Sequence, residues 1–331
     1  MGGSGTLRRP APATNVLMAL VVATAAALTA GRLAGLAGVA GVQTFVLIFT
    51  SIVVQALPFV VVGALVSAAI EVYLSDRAMT RVTRLPMAAQ LPAAAFGGLA
   101  FPVCECGSVP VARRLIARGV HPAAAVAFML ASSIFNPIVL VSTFIAYRAL
   151  DLGWEMAIGR AAMGLIVSTA AGWALGADGA WDLLRRRPGE DEQPHHDGAR
   201  GRAFVDHLAG DVVFMGRFLV AGAALAASVQ TIVPQSIVSG IARTPILGSL
   251  ALMAIAFVLS LCSEADAFVA VSFTQFPLSA QLAFLVFGPA LDMKLAFLYG
   301  ATFRKRFVLR LAAIAIPLVL AGSLWFQVAF T

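Results

Sequence analysis

Residues 101–110 read FPVCECGSVP: two thiols flank a carboxylate, with prolines on both sides and an apolar chain around them. Two further groups resemble this one in chemistry. LCSEADAF at 261–268 brings Cys262, Glu264 and Asp266, and LDMKL at 291–295 brings Asp292 and Lys294. Thiolates prefer soft metals and metalloids, and they also exchange with disulfides. On a helix, Cys104 and Cys106 would point about 200° apart, whereas on an unwound segment they share one side. Pro102 and Gly107 favour the unwound tip, so the two thiols can converge there. Three converging thiols, Cys104, Cys106 and Cys262, would suit a trivalent metalloid or a soft metal. The plain alternative is that buried cysteines serve as small apolar residues. Ionisable side chains in apolar surroundings are expensive and mark function by default. Glu105, Glu264 and Asp266 are accordingly candidates for carrying a coupled proton. Asp292 and Lys294 stand two apart, do not share a helix face, and are expected to pair with other segments.

These groups need elements to hold them, and the composition says which. The chain has 331 residues, 60% hydrophobic and 12% charged, with mean hydropathy +0.92. A soluble domain carries roughly a quarter charged residues. The fold class expected is therefore an all-α polytopic membrane protein. The formal net charge of +7 is read as loop charge that orients membrane helices, not as a nucleic-acid surface. Three cysteines are too few for a disulfide framework. Apolar segments fall at 15–37, 43–74, 87–118, 122–147, 154–176, 204–233, 245–276, 279–303 and 307–330. The first follows Arg8 and Arg9 and is too long for a signal-peptide core, so it reads as a retained helix.

Segments 87–118 and 245–276 are unsuited to simple crossings. The first carries Pro92, Pro102, Pro110 and the Cys-Glu-Cys triplet, and the second carries LCSEADAF at its centre. Unwound backbone at membrane depth survives only where protein or water surrounds it. Loop charge favours letting both segments re-enter on the side where they began. Arg77, Arg81, Arg84, Arg113, Arg114, Arg118, Arg185 to Arg187, Arg304, Lys305 and Arg306 then all lie inside, leaving Arg32, Arg148 and Arg243 outside. Seven full spans and two hairpins result, with Pro102, Pro110, Pro137, Gly288 and Pro289 as candidate helix-break or gating positions.

The same arrangement makes the halves inverted copies. Residues 106–136 align without a gap on 262–292, matching Cys106 to Cys262, Ala127-Phe128 to Ala283-Phe284, and Asn136 to Asp292. Upstream, GALVSAAIE (63–71) resembles GAALAASVQ (222–230). Inverted repeats whose broken helices meet at the midplane are a transporter architecture. The expected organisation is an N-terminal helix (1–42), a first half (43–177), a polar cytoplasmic linker (178–203) and a second half (204–331). His195 and His196 in the linker read as part of a solvated loop.

The ordered set CECGSVPVARRL, AAAVAFMLASSIFNPIVL, LCSEADAFVA and LAFLVFGPALDMKL resembles the predicted permeases of the YraQ/ArsP group, from about residue 43 onward. The resemblance implies a bacterial inner-membrane permease. One branch of that group exports trivalent organoarsenicals, and many members have no assigned substrate. From its motifs Cys104, Cys106, Asn136 and Pro137 are carried over in the first half, and Cys262, Asp266, Gly288, Pro289, Asp292 and Lys294 in the second. Many relatives carry a proline near Ser133, where this chain reads ASSIFNP, so the motifs do not fix the substrate.

The expectation is a secondary permease, not an enzyme, that exports a small soft solute by alternating access. Cys104, Cys106, Cys262, Asn136, Asp292 and Lys294 would form its solute site, while Glu105, Glu264 and Asp266 would couple protons. No P-loop motif occurs and no cofactor is expected. Lipid and the soft solute are the partners, a homodimer is left open, and nucleic acid is not a partner. The rival reading is a membrane thiol–disulfide electron relay through Cys104 and Cys106.

Overall fold

The computed structural model describes residues 40–73, 85–100, 103–176, 184, 200–232, 245–304 and 306–330. Among these residues twelve α-helices follow one another, and the only extended pairing is a single bridge between Leu184 and Phe303. The first six are α1 (Ala40–Tyr73), α2 (Met87–Ala100), α3 (Glu105–Ala117), α4 (Pro122–Ile134), α5 (Pro137–Tyr147) and α6 (Gly153–Gly176). The second six are α7 (Arg200–Ile232), α8 (Pro245–Leu259), α9 (Asp266–Ala270), α10 (Leu278–Ala290), α11 (Met293–Thr302) and α12 (Arg306–Phe330). Six stretches are long and apolar enough to cross a membrane: 41–73, 122–150, 153–176, 204–231, 278–302 and 306–329. They match six of the seven expected spans. The seventh, 15–37, lies outside the described residues, as do His195 and His196.

The two halves repeat one order: a long helix, a helix–break–helix, a second helix–break–helix, and a closing span. Both irregular segments double back. The N–H of His121, just beyond α3, donates to Gln90 Oε1 near the start of α2 at 3.2 Å. In the second half, Gly248 near the start of α8 lies against Phe276 and Pro277, beyond α9. Segments 87–118 and 245–276 are thus re-entrant hairpins. Their mouths lie at opposite ends. Arg113 Nη1 reaches the Thr302 carbonyl at 3.4 Å, which puts the end of the 278–302 span beside the first hairpin's mouth. The start of that span, and the second hairpin with it, lies at the other end.

Small residues let these backbones approach, the usual device where lipid removes any hydrophobic preference for helix contact. Along α1, Gly63, Ala64 and Ala68 are buried, and along α7 so are Gly222, Ala223, Ala226 and Ala227. The two helices form one of the broadest contacts in the molecule. Between α4 and α6, a methyl group at Gly172 or Gly176 would overlap the Ala123 backbone.

Two of the spans are interrupted, the first at the expected Pro137 position. The 122–150 span breaks at Asn136, whose Oδ1 accepts from the Val139 N–H at 2.9 Å and caps α5. The 278–302 span breaks at Asp292, whose Oδ1 accepts from the Leu295 N–H at 2.7 Å and caps α11. Aligned positions thus perform the same capping, as side-chain oxygens do at helix N-termini. Three expected break positions are corrected. Pro110 lies inside α3; its missing N–H costs the one bond it would have made to the Cys106 carbonyl, and the helix continues to Ala117. Gly288 and Pro289 lie inside α10, which continues to Ala290, so the break follows them at Leu291–Asp292. Pro137 is the first residue of α5, where its fixed φ fits a helix start. Pro102 lies outside the described residues.

Candidate functional site

The two hairpin tips meet. Cys104 is extended (φ −72°, ψ 173°) and precedes α3, while Glu105 and Cys106 form its first turn. The facing tip is 260–265, between α8 and α9, where Ser260 holds φ 48°. That left-handed conformation is uncommon in residues other than glycine. It turns the chain so that the Ser260 and Leu261 carbonyls point at one ammonium group. Lys294 Nζ sits 3.1 Å from Ser260 O and 2.7 Å from Leu261 O. The same nitrogen lies 2.9 Å from Glu105 Oε1 and 3.3 Å from Asp292 Oδ2. Glu105 Oε2 also accepts from the Ser263 hydroxyl at 3.1 Å. Lys294 and Glu105 are each nearly fully buried and come from opposite halves, so this pair ties one repeat to the other.

The thiols share this place. Cys104 and Cys106 on one tip and Cys262 on the other line a single cavity. All three are free of disulfides. Cys262 donates to Glu264 Oε2 at 2.5 Å. Ile52, Gln55, Ala56, Cys104, Glu105, Cys106, Ser260, Cys262 and Lys294 line a narrow cavity of about 10 Å³, room for about one water. No group of three His, Cys, Asp or Glu side chains among the described residues is placed to hold a metal ion. The three thiols border the cavity together with the Glu105–Lys294 pair.

Asn136 does not join this cavity. It is fully buried, and its Nδ2 donates back to Ser132 O at 2.8 Å, so it organises the α4–α5 break. Asp292 borders the site through Lys294 and otherwise caps α11. Asp266 stands apart with a partner that the sequence reading passed over. Arg160 of α6, 0% exposed, holds Asp266 at both oxygens, 2.9 and 3.0 Å away. It also donates to Ile134 O, Thr143 Oγ1 and Ser263 O. One guanidinium thus fastens the first half's α4–α5 break to the second hairpin tip, using the planar fork that suits arginine to buried pairs. A signal for it existed: Arg160 is the only charged residue between Met156 and Gly176, and an isolated charge in an apolar run asks for a partner. Gln55 was also passed over. It is exposed on α1 although it lines the cavity.

Two helical halves, inverted and joined at broken tips around a small polar cavity, are the geometry of a permease. The sequence profile of a family described as predicted permease, of the ArsP type, matches residues 41–328. The chain belongs to the predicted permease family. Among relatives, it is 38% identical over 285 residues to the UPF0718 protein YcgR of Bacillus subtilis strain 168, covering 84% of this chain and 95% of the relative. It is 34% identical over 272 residues to a protein of Streptococcus mutans called a putative two-component membrane permease complex subunit, covering 80% of this chain and 88% of that one. No solved structure matches the chain. This permease is a multi-pass membrane protein, and the match takes in both hairpin tips and both capped breaks.

Proposed function

We propose that this permease exports a small thiol-binding solute, a trivalent organoarsenical, metalloid or soft metal species, across the bacterial inner membrane by secondary transport. The observation that carries the reading is that Cys104 and Cys106 from one half and Cys262 from the other border one cavity beside a buried ammonium–carboxylate pair. Thiols of two separately moving halves can close around a soft atom and release it when the halves part. Glu105 and Glu264 are the carboxylates in direct contact with this chemistry. Glu105 faces Lys294, Glu264 accepts from the Cys262 thiol, and both are suited to exchange a proton as the solute comes and goes. Asp266, held at both oxygens by Arg160, is less suited to that task and acts as a positioning group. The absence of a nucleotide-binding motif agrees with a gradient-driven cycle. The name of the streptococcal relative suggests a second membrane subunit as partner, alongside a homodimer.

Everted vesicles from cells making the protein test this reading. Vesicles with an imposed pH gradient should accumulate methylarsenite or another soft solute from a panel of arsenite, methylated arsenicals and soft metal ions. Accumulation should fall to the level of empty-vector vesicles when the gradient is collapsed. Equal uptake of every solute with and without the protein would overturn it.

A further inference from the structure

Taking the permease reading as given, we propose that a charge cluster joining α1, α3 and α7 is a one-sided latch: it holds the protein shut at the Arg114–Arg118 end, so that the thiol cavity is entered only from the other. Three observations carry this, namely the cluster itself, its lack of a counterpart, and a packing difference between the halves.

The cluster lies where the first hairpin's outgoing arm meets the two long helices. Arg114 Nη1 is 3.6 Å from Glu71 Oε2, and Arg114 Nη2 is 3.4 Å from Asp211 Oδ2. Arg118 Nε is 3.4 Å from the same Glu71 oxygen, and Arg118 also donates to the Glu71 carbonyl. The Ser67 hydroxyl donates to Asp211 at 2.7 Å. Arg114 thus links α1 to α7, and Arg118, just past the end of α3, adds a second hold on α1. Asp211 is only 3% exposed, which takes its pairing with Arg114 out of the class of solvated surface pairs that contribute little, while the Glu71 pairs stay partly exposed.

The repeat makes the second observation visible. Placing Gly63 on Gly222 and Cys106 on Cys262 sets Gln230 opposite Glu71, Ala270 opposite Arg114, Thr274 opposite Arg118 and Ile52 opposite Asp211. None of the four counterparts carries a charge. Among the described residues, one end has this ionic fastening, and the four equivalent positions at the other end carry no charge.

Packing repeats the asymmetry. Helix α1 lies on α3 and α7 lies on α11, whereas the exchanged pairs, α7 with α9 and α1 with α5, make no comparable contact among the described residues. Glycines set how close the existing pairs come: a methyl group at Gly63 would overlap the Gly107 carbonyl, and one at Gly222 would lie 2.9 Å from the Lys294 Cα. The α1–α7 pair therefore leans toward the latched end. The cavity lies on the far side of Gly63, against Ile52, Gln55 and Ala56. In an inverted repeat, exchanging the conformations of the halves gives the opposite-facing state. Here that exchange requires the latch to open and Gly222 to move toward Ser263. Inner-side arginines, as the loop charges suggest, would make the resting state outward-open.

The test uses native Cys262, which is part-exposed while Cys104 and Cys106 are buried, and needs no solute. Right-side-out and inverted vesicles are treated with a charged, membrane-impermeant methanethiosulfonate, and labelled cysteines are identified by peptide mass. An Ala117→Cys reporter, at the exposed end of α3, marks the latched face. Cys262 should label from the face opposite the reporter, at least ~10-fold faster than from the same face. Glu71→Gln with Asp211→Asn should raise labelling from the latched face ~10-fold. Should the double variant fail to accumulate, Arg118→Gln, which keeps the Arg114–Asp211 pair, should shift the preference in the same direction by less. Faster Cys262 labelling from the reporter's face in the native protein would overturn the latch, as would an unchanged preference in the latch variants. Neither result bears on whether the protein moves a soft solute, which vesicle uptake decides separately.

Discussion

Replacing Cys104 and Cys106 together with serine should abolish export of a soft solute, by ~100-fold or more, while the protein accumulates in the membrane at its usual level. Serine keeps the approximate volume and a hydrogen-bonding hydroxyl, but the soft ligand is gone. Nothing in the α3 first turn depends on sulfur for its fold. The helix begins because the chain leaves the extended conformation at Cys104, and no side chain caps it. Cys262→Ser should reduce transport less, because two thiols remain on the facing tip. The measurement is solute accumulation in everted vesicles, normalised to protein detected by immunoblot. Undiminished accumulation by the double serine variant would make the thiols packing groups.

The largest effect on folding is expected at Arg160. Replacing it with methionine, close in length but uncharged, leaves the Asp266 carboxylate buried without its partner. The Ile134 and Ser263 carbonyls each lose a donor as well. Breaking a buried pair from one side costs about 3–5 kcal/mol, a large share of the roughly 5–15 kcal/mol that a folded domain has in total. The variant should be recovered poorly, and what is recovered should melt ~10 °C or more below the native protein, by the usual conversion for chains of this size. Adding Asp266→Leu should restore part of the loss by removing the stranded charge. Thermal unfolding of detergent-purified protein, followed by size-exclusion chromatography, reads both. Unaltered melting of Arg160→Met would show that the guanidinium does not fasten the two breaks.

Much of this architecture was legible in the residues. An apolar stretch about 20 residues long declares a span wherever it falls, because backbone groups in lipid must bond within the segment. Proline and charge in the middle of 87–118 and 245–276 marked the hairpins for the same reason. The gapless match of Asn136 to Asp292 anticipated two positions that the structure uses identically, as helix caps. What stayed hidden depended on partners distant in the chain. Glu105 and Lys294 pair across 189 positions, and Arg160 and Asp266 across 106, and no spacing rule connects them. The break at 136 was marked by Pro137, while the one at 292 was placed a few residues early, at Gly288 and Pro289; the capping oxygens of Asn136 and Asp292 fix both. Proline was over-read: at Pro110 and Pro289 the helix loses one bond and continues, while the breaks sit where a polar cap offers the chain a new start. Gln55 and Ser260 carry no signal at all, one being a polar residue in an apolar run and the other an ordinary serine with an unusual φ.

The inverted halves bring the Cys104–Cys106 tip and the Cys262 tip to one place, and joining the tips tests this most directly. A protease site is inserted in the polar linker at 178–203, the protein is treated in membranes with a short bifunctional methanethiosulfonate, and the linker is then cut. If the tips meet as described, the two halves should migrate as one band on a denaturing gel, separate on reduction, and separate without reduction in a Cys262→Ser variant. Halves that part completely in the native protein despite reagent consumed at both tips would contradict the shared site.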